Sequence, residues 1–298
     1  MPNPIFQETL PKEKAAGQLT PAVVDYYSQT IEDYRVWSRN GYMHFGLWRP
    51  WLNPFNRRAM LEAMNDLVFA SLGLPESLEQ SSAKSIGDFG CGLAAVSQYG
   101  HQRFPQHHWH AFTICPDQVA AARSTNASNK VEIHCADYTQ LPLEDHQLDG
   151  AFFLESLCHC SFLRAALDES RRVIKPGGRL IVVDGMLRKR MSDIPVYARQ
   201  LAQAVCRCWA LPQFHSTVDF EAIAADAGFE IEAKREIGWN MFPCIAHSPT
   251  LVALHSAKLV MQGKWNRWKR RHMLGCALGI LLGMLRNQFG YFAYTLRV

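Results

Sequence analysis

The stretch IGDFGCGLAAVS, Ile86 to Ser97, decides the fold. It reads as an apolar strand carrying an acid, Asp88, near its carboxyl end, followed by the closely spaced glycines Gly90 and Gly92 and then a helix. Glycine takes backbone angles that a Cβ forbids, so such a turn lets a nucleotide-like ligand lie against main-chain N–H groups. A dinucleotide fingerprint needs G-x-G-x-x-G, and Gly90, Gly92 and Ala95 match it only in part. A phosphate-cradling P-loop is excluded, because no Gly-Lys-Ser/Thr follows. What remains is D-x-G-C-G-x-A, with Asp88 at the crevice end of a strand.

Outward from this turn, apolar runs alternate with amphipathic stretches, the pattern of a doubly wound α/β sheet. Strands are expected at Ser85–Phe89, Trp109–Ile114, Val131–His134, Asp149–Glu155 and Arg179–Asp184, with helices at Gln118–Thr125 and Leu163–Ile174. Lys175-Pro176-Gly177-Gly178 reads as the stop of the second helix and the turn into the next strand. From Asp184 to about Val218 the alternation lapses, which reads as a cap. It resumes with a helix near Phe220–Ala227, a strand from Phe229 to about Ile237 and a last strand at Gln288–Arg297. This divides the chain into an N-terminal helical segment covering the site (1–75), a ligand-binding core (76–185), a cap (186–217) and a C-terminal completion of the sheet with a basic and apolar helix (218–298).

The 298 residues carry a net charge of only +4, and that small excess mostly reflects one cluster, KWNRWKRRH, Lys264 to His272. That argues against a nucleic-acid-binding surface. Nine cysteines without a C-x-x-C pair fit reduced, mostly buried thiols in a cytoplasmic protein. Cys158/Cys160, Cys206/Cys208 and the histidines 107, 108 and 110 lack zinc-site spacing, so no metal is expected. The N-terminal MPNPIFQETLPKEKAAG is polar and proline-broken, unlike a secretory signal. MLGCALGILLGML, Met273 to Leu285, is short for a membrane span and reads as a packed helix; the basic cluster before it leaves peripheral membrane contact open.

The glycine turn resembles motif I of the class I S-adenosylmethionine-dependent methyltransferases. AFTICPDQVAAAR then resembles the G-x-T-x-S-x-x-Q signature of the branch that holds sterol, tocopherol and prenyl diphosphate C-methyltransferases. ESLCH, Glu155 to His159, matches that branch's E-S-x-x-H, and Tyr26-Tyr27 with HFGLW, His44 to Trp48, resembles its Y-Y/D and H-x-G-x-W elements. The resemblance spans roughly Tyr26 to Ile237, with Ala94 where the motif has a third glycine. It implies a Rossmann-like, seven-stranded, mostly parallel sheet with helices on both faces, an N-terminal helical segment and a cap inserted after the fifth strand.

The resemblance also implies roles. Tyr27, Asp88, Gly90, Cys91, Gly92, Thr113, Ile114, Gln118, Asp137, Tyr138 and Leu154 would hold S-adenosylmethionine, which leaves as S-adenosylhomocysteine. Asp137 would accept a hydrogen bond from an adenine amino group. Gln118 reads equally as an exposed first-turn residue. Glu155, His159, Tyr27 and His44 would serve catalysis, although Glu155 reads also as a backbone cap and His159 as a core histidine. Phe45, Trp48, Arg35, Arg188, Trp209 and His215 would face a small apolar substrate, with Mg²⁺ entering only beside a diphosphate.

Aromatic residues Tyr27, Phe45, Trp48, Trp209, Phe214, Trp239 and Phe242 suit a terpenoid acceptor such as farnesyl diphosphate, methylated at carbon and open to cyclisation of the resulting cation. An O- or N-methyltransferase of a small aromatic or amine metabolite, and a cofactor-binding partner protein without turnover, are the alternatives. A homo-oligomer is compatible with all three.

Overall fold

The computed structural model describes residues 20–74, 82–126 and 130–298. The N-terminal polar stretch and the 75/76 boundary expected from the sequence lie outside the described residues. Seven strands form one sheet in the order β3-β2-β1-β4-β5-β7-β6: β1 Ser85–Phe89, β2 His108–Thr113, β3 Val131–Cys135, β4 Leu148–Leu154, β5 Ile174–Leu187, β6 Glu230–Glu236 and β7 Phe289–Arg297. The ladders joining β3, β2, β1, β4 and β5 are parallel, and β7 runs antiparallel to both its neighbours. The strand order reverses between β1 and β4, β2 and β3 lying to one side of β1 and β4 and β5 to the other, so their carboxyl ends open the crevice typical of such sheets. The Rossmann-like sheet expected from the sequence is therefore present.

Parallel strands need both faces covered, and two apolar clusters supply this. On one face α2 (Arg57–Ser71), α3 (Ala95–Arg103) and α4 (Pro116–Thr125) pack Met64, Phe69 and Val119 with Trp109 and Phe152. On the other, α5 (Leu163–Val173) and α7 (Thr217–Asp226) pack Leu167 and Phe220 with Phe89, Phe153 and Val182.

Lys175-Pro176-Gly177-Gly178 corrects the sequence reading. Ile174 already pairs with Leu148, and the register then jumps to Gly150 opposite Arg179. The proline and glycines form an irregularity inside β5, with Gly177 at φ +79°, rather than a turn before it.

The cap is also larger than the interval 186–217. α6 (Val196–Trp209) packs along α10 (Arg267–Met284), while α8 (Gly238–Ile245) and α9 (Ser248–Met261) join α10 in an excursion between β6 and β7. This excursion leaves and rejoins the sheet at one point, where Glu236 pairs with Phe292 and the Ile237 N–H donates to the Tyr291 carbonyl at 2.9 Å. Cβ atoms added at Gly275 and Gly279 would meet the Trp209 indole at 2.4 and 2.6 Å, so the glycines are its seat.

α1 (Thr20–Trp37) closes the cap from the other side. Buried Asp33 accepts from Lys269 Nζ at 3.0 Å and lies 2.8 Å from His255 Nε2. Tyr26 Oη meets His272 Nδ1 at 2.6 Å. Part of the basic cluster thus ties helices together. No helix among the described residues is long and apolar enough to cross a membrane, and all nine cysteines are free thiols.

Candidate active site

The glycine turn is built as its sequence requires. Gly90 and Gly92 sit at φ +81° and +54°, and Ala94 follows at +53°. A Cβ on Gly90 would stand 2.4 Å from Ser156 Cβ, and one on Gly92 would stand 2.6 Å from Met43 Sδ. The turn is therefore a bare backbone ledge between the exit of β4 and the segment after α1. Asp88 is buried, accepts from Ser97 Oγ at 2.6 Å, and is pushed by burial up to about 7.

At the end of β2, Thr113 Oγ1 donates to Gln118 Oε1 at 2.6 Å. Gln118 is 2 % exposed, which removes the exposed first-turn reading. Past β3, Asp137 Oδ1 accepts from the Thr139 amide and hydroxyl, both at 2.8 Å. These residues line one crevice with Cys91, Ile114, Tyr138 and Leu154. The structure thus brings together all eleven residues assigned to the cofactor from the sequence.

A second cavity of about 590 Å³ lies under the cap, within the range of small-molecule sites. Tyr27, Met43, His44, Glu155 and His159 line both spaces. The four catalytic candidates thus stand in the partition between them, and Met43 joins them unannounced by any motif.

The partition is held by its backbone. Glu155 follows β4 at φ +52°, a left-handed conformation that costs a non-glycine residue about 1–3 kcal/mol. Its N–H donates to the Val183 carbonyl at 2.8 Å, and its Oε1 accepts from the Phe45 amide at 2.6 Å. His159, at the end of a single 3-10 turn, meets the Tyr27 hydroxyl through Nε2 at 2.8 Å. His44 Nδ1 lies 2.9 Å from the Phe45 carbonyl. Burial pushes both imidazoles down to about 4, so both are neutral at pH 7.

Asp184, near the end of β5, also lines the second cavity. It accepts from the amides of Cys158 at 2.9 Å and Gly185 at 2.8 Å. Burial pushes it up to about 6, against those two donors. Burial likewise pushes Glu155 up to about 8, opposed by the Phe45 amide and the Tyr291 hydroxyl and reinforced by the Asp184 charge. Adjacent strand ends therefore carry two carboxyls that burial makes hold their protons more tightly than usual, Glu155 more so than Asp184. Asp184 escaped the sequence reading, although its place near the fifth strand's end is the signal that singled out Glu155 on the fourth.

Four expected substrate residues lie away from both cavity walls. The Trp48 indole donates to the Leu52 carbonyl, and Arg35 pairs with Glu32 on α1. Arg188 pairs with Glu236 and lies over Phe292. His215 is buried outside the cavities, its carbonyl accepting from the Leu187 amide. Phe45, Trp209, Phe214, Trp239 and Phe242 do line the second cavity, while Tyr27 lines both.

Residues 87–182 match a family model described as a methyltransferase domain. A 24-methylenesterol C-methyltransferase of Arabidopsis thaliana is 26 % identical over 236 residues, covering 76 % of this chain and 61 % of that protein. The chain carries a methyltransferase domain and is similar to the class I S-adenosylmethionine-dependent methyltransferases. An O-methyltransferase of Penicillium expansum is 29 % identical over 229 residues, covering 75 % of this chain and 78 % of the relative. Of the two, the sterol enzyme is the longer match, but this chain spans only about six-tenths of its length.

The fold recurs among solved structures, two of which match nearly the whole chain. The [4+2]-cyclase SpnF has a TM-score of 0.73 at 20 % identity, over 93 % of this chain and 96 % of that one. Geranyl diphosphate C-methyltransferase of Streptomyces coelicolor, in complex with Mg²⁺, geranyl diphosphate and S-adenosylhomocysteine, has a TM-score of 0.68 at 14 % identity, over 95 % of this chain and 99 % of that one. S-adenosylmethionine is the family's cofactor, and the crevice fits it: a glycine ledge bare of Cβ atoms, flanked by Asp88, the Thr113–Gln118 pair and Asp137.

Proposed function

We propose that this protein is an S-adenosylmethionine-dependent C-methyltransferase acting on an apolar isoprenoid acceptor. The observation that carries the reading is the shared partition: a crevice that fits the donor and a large aromatic-lined cavity meet at Tyr27, Met43, His44, Glu155 and His159. Bound there, the cofactor supplies an electrophilic methyl group. The protein's part is to hold donor and acceptor at attack distance and exclude water.

Methylating an alkene carbon leaves a carbocation on the acceptor. The aromatic lining and the Asp184 carboxylate would stabilise that charge, and the Asp184–Glu155 pair would accept the proton lost in forming the product. Where the acceptor holds a second alkene, the same cation would be open to ring closure. The neutral Tyr27–His159 contact would position the acceptor beside the methyl group.

The charged side chains on the cavity wall refine the acceptor. They are Asp33, Glu155, Asp184, Glu236 and Arg286. Asp33 is held by Lys269 and Glu236 by Arg188, so among the described residues Glu155 and Asp184 face the interior without a paired cation. A prenyl diphosphate with Mg²⁺ would call for cationic groups, and Arg286 is the one Lys or Arg among the described wall residues. The geometry favours an uncharged isoprenoid over farnesyl diphosphate. Such an acceptor partitions into lipid, and exposed Trp239 and Phe242 at the cavity's edge support peripheral membrane contact there.

Incubation with methyl-labelled cofactor and three acceptors, a sterol or neutral polyprenyl alkene, farnesyl diphosphate and a phenol, tests this. Label at carbon in the neutral isoprenoid is the expected result. Label confined to the phenol oxygen would overturn it in favour of O-methylation with Glu155 as base, the chemistry of the fungal relative's name.

A further inference from the structure

Away from both cavities, edge strand β3 and its neighbour β2 bring three metal-ligating side chains together. Parallel pairing sets His110 opposite Glu132, and Glu132 and His134 share a face because side chains alternate along a strand. His110 Nδ1 lies 3.2 Å and His134 Nε2 3.7 Å from the same Glu132 carboxylate oxygen. All three ligand atoms fall within 4.8 Å of one another.

His110 is only 6 % exposed, yet neither its Nδ1 nor His134 Nε2 has a hydrogen-bond partner among the described residues. His110 Nδ1 approaches the carboxylate without the direction an N–H···O bond requires, and His134 Nε2 stands beyond hydrogen-bond distance from it. Unpaired polar atoms in a buried setting are costly and call for an explanation. A tetrahedral ion with legs of about 2.0–2.1 Å sets its ligands about 3.3–3.4 Å apart, close to the two separations seen. Burial keeps both imidazoles below their usual range, in the neutral form that binds metals.

We propose that His110, Glu132 and His134 bind one divalent transition-metal ion of the zinc class, with water completing its shell, and that the ion cross-links the edge strand to the sheet. The site differs from the trio of histidines 107, 108 and 110, which the sequence brings close but the strands do not gather. β2 leads into Thr113 and β3 into Asp137, so the ion would fasten the two strands that carry the outer half of the cofactor crevice.

The test uses the full chain, without a histidine tag and stripped of metal, titrated with Co²⁺ and followed by its visible d–d absorption. One Co²⁺ per chain is expected, and Zn²⁺ at about 100 times its dissociation constant should raise Tm by about 5 °C. Glu132→Gln and His134→Gln, both at positions that reach solvent, should weaken binding about 100-fold while the circular dichroism of the fold persists. No stoichiometric Co²⁺ absorption in the wild-type chain would overturn the site. So would unchanged titration in both variants, or a thiolate charge-transfer band showing that cysteines hold the ion.

Discussion

Glu155 concentrates several roles in one side chain: it turns the chain at positive φ, caps the Phe45 amide and faces both cavities. Glu155→Gln keeps the shape and an acceptor oxygen but removes the titratable proton. It should leave cofactor affinity within about twofold by calorimetry and lower kcat about 100-fold, the lower range for acid–base work. Asp88→Ala should do the reverse, weakening cofactor binding at least about 30-fold in the same calorimetric measurement, because the buried ledge loses its one carboxyl. At this scale the sequence was partly legible. Motif spacing located Asp88, Gln118 and Glu155, since each sits at or just past a strand end. Burial of Gln118 and the remoteness of Arg35, Arg188 and His215 were not, because they depend on which face each helix or strand turns inward. Charge alone suggested substrate arginines, and the structure pairs both with neighbouring acids.

Helix α10 shows what a run of apolar residues conceals. Its apolar run from Met273 and the basic flank before it were readable, but the run could have meant a membrane face or a packing seat, and the helix begins earlier, at Arg267. The Trp209 indole decides for the seat. Gly275→Ala places a methyl 2.4 Å from that indole, an overpacking expected to cost about 1–3 kcal/mol. Thermal unfolding should show the loss, and the acceptor KM should rise because Trp209 lines the cavity. At the other end of α10, Lys269→Met strands the Asp33 carboxylate beside His255. Removing one partner of a buried pair costs about 3–5 kcal/mol, so chemical denaturation should report a loss of that order, whereas the neighbouring exposed Arg270→Met should change little.

For the whole molecule, the buried titratable groups set an unusual pH dependence. In the ligand-free protein His44, His159 and His272 are pushed from 6.5 down to about 4, so the unfolded chain binds more protons and stability rises between pH 4 and 6.5. Asp184, Asp88 and Glu155 are raised to about 6, 7 and 8, so the stability tied to their protonated forms is lost as pH climbs through those values. Below 6.5 the two sets oppose each other; above it the acids act alone. Scanning calorimetry should find Tm falling from pH 6.5 to 8.5, with a shallower fall in Glu155→Gln. The sheet was legible apart from the irregularity at Lys175–Gly178, because alternation and glycine punctuation are local signals. The cap was not, because helices from α1, α6 and α8–α10 enclose the second cavity only in three dimensions. The excursion that carries α8–α10 begins and ends at paired residues, Glu236 and Phe292. Lengthening a closed loop adds only about 0.6 kcal/mol per doubling, so this roof is built as a cassette: its length is free to change at little entropic cost while the sheet and the glycine turn beneath it keep their geometry.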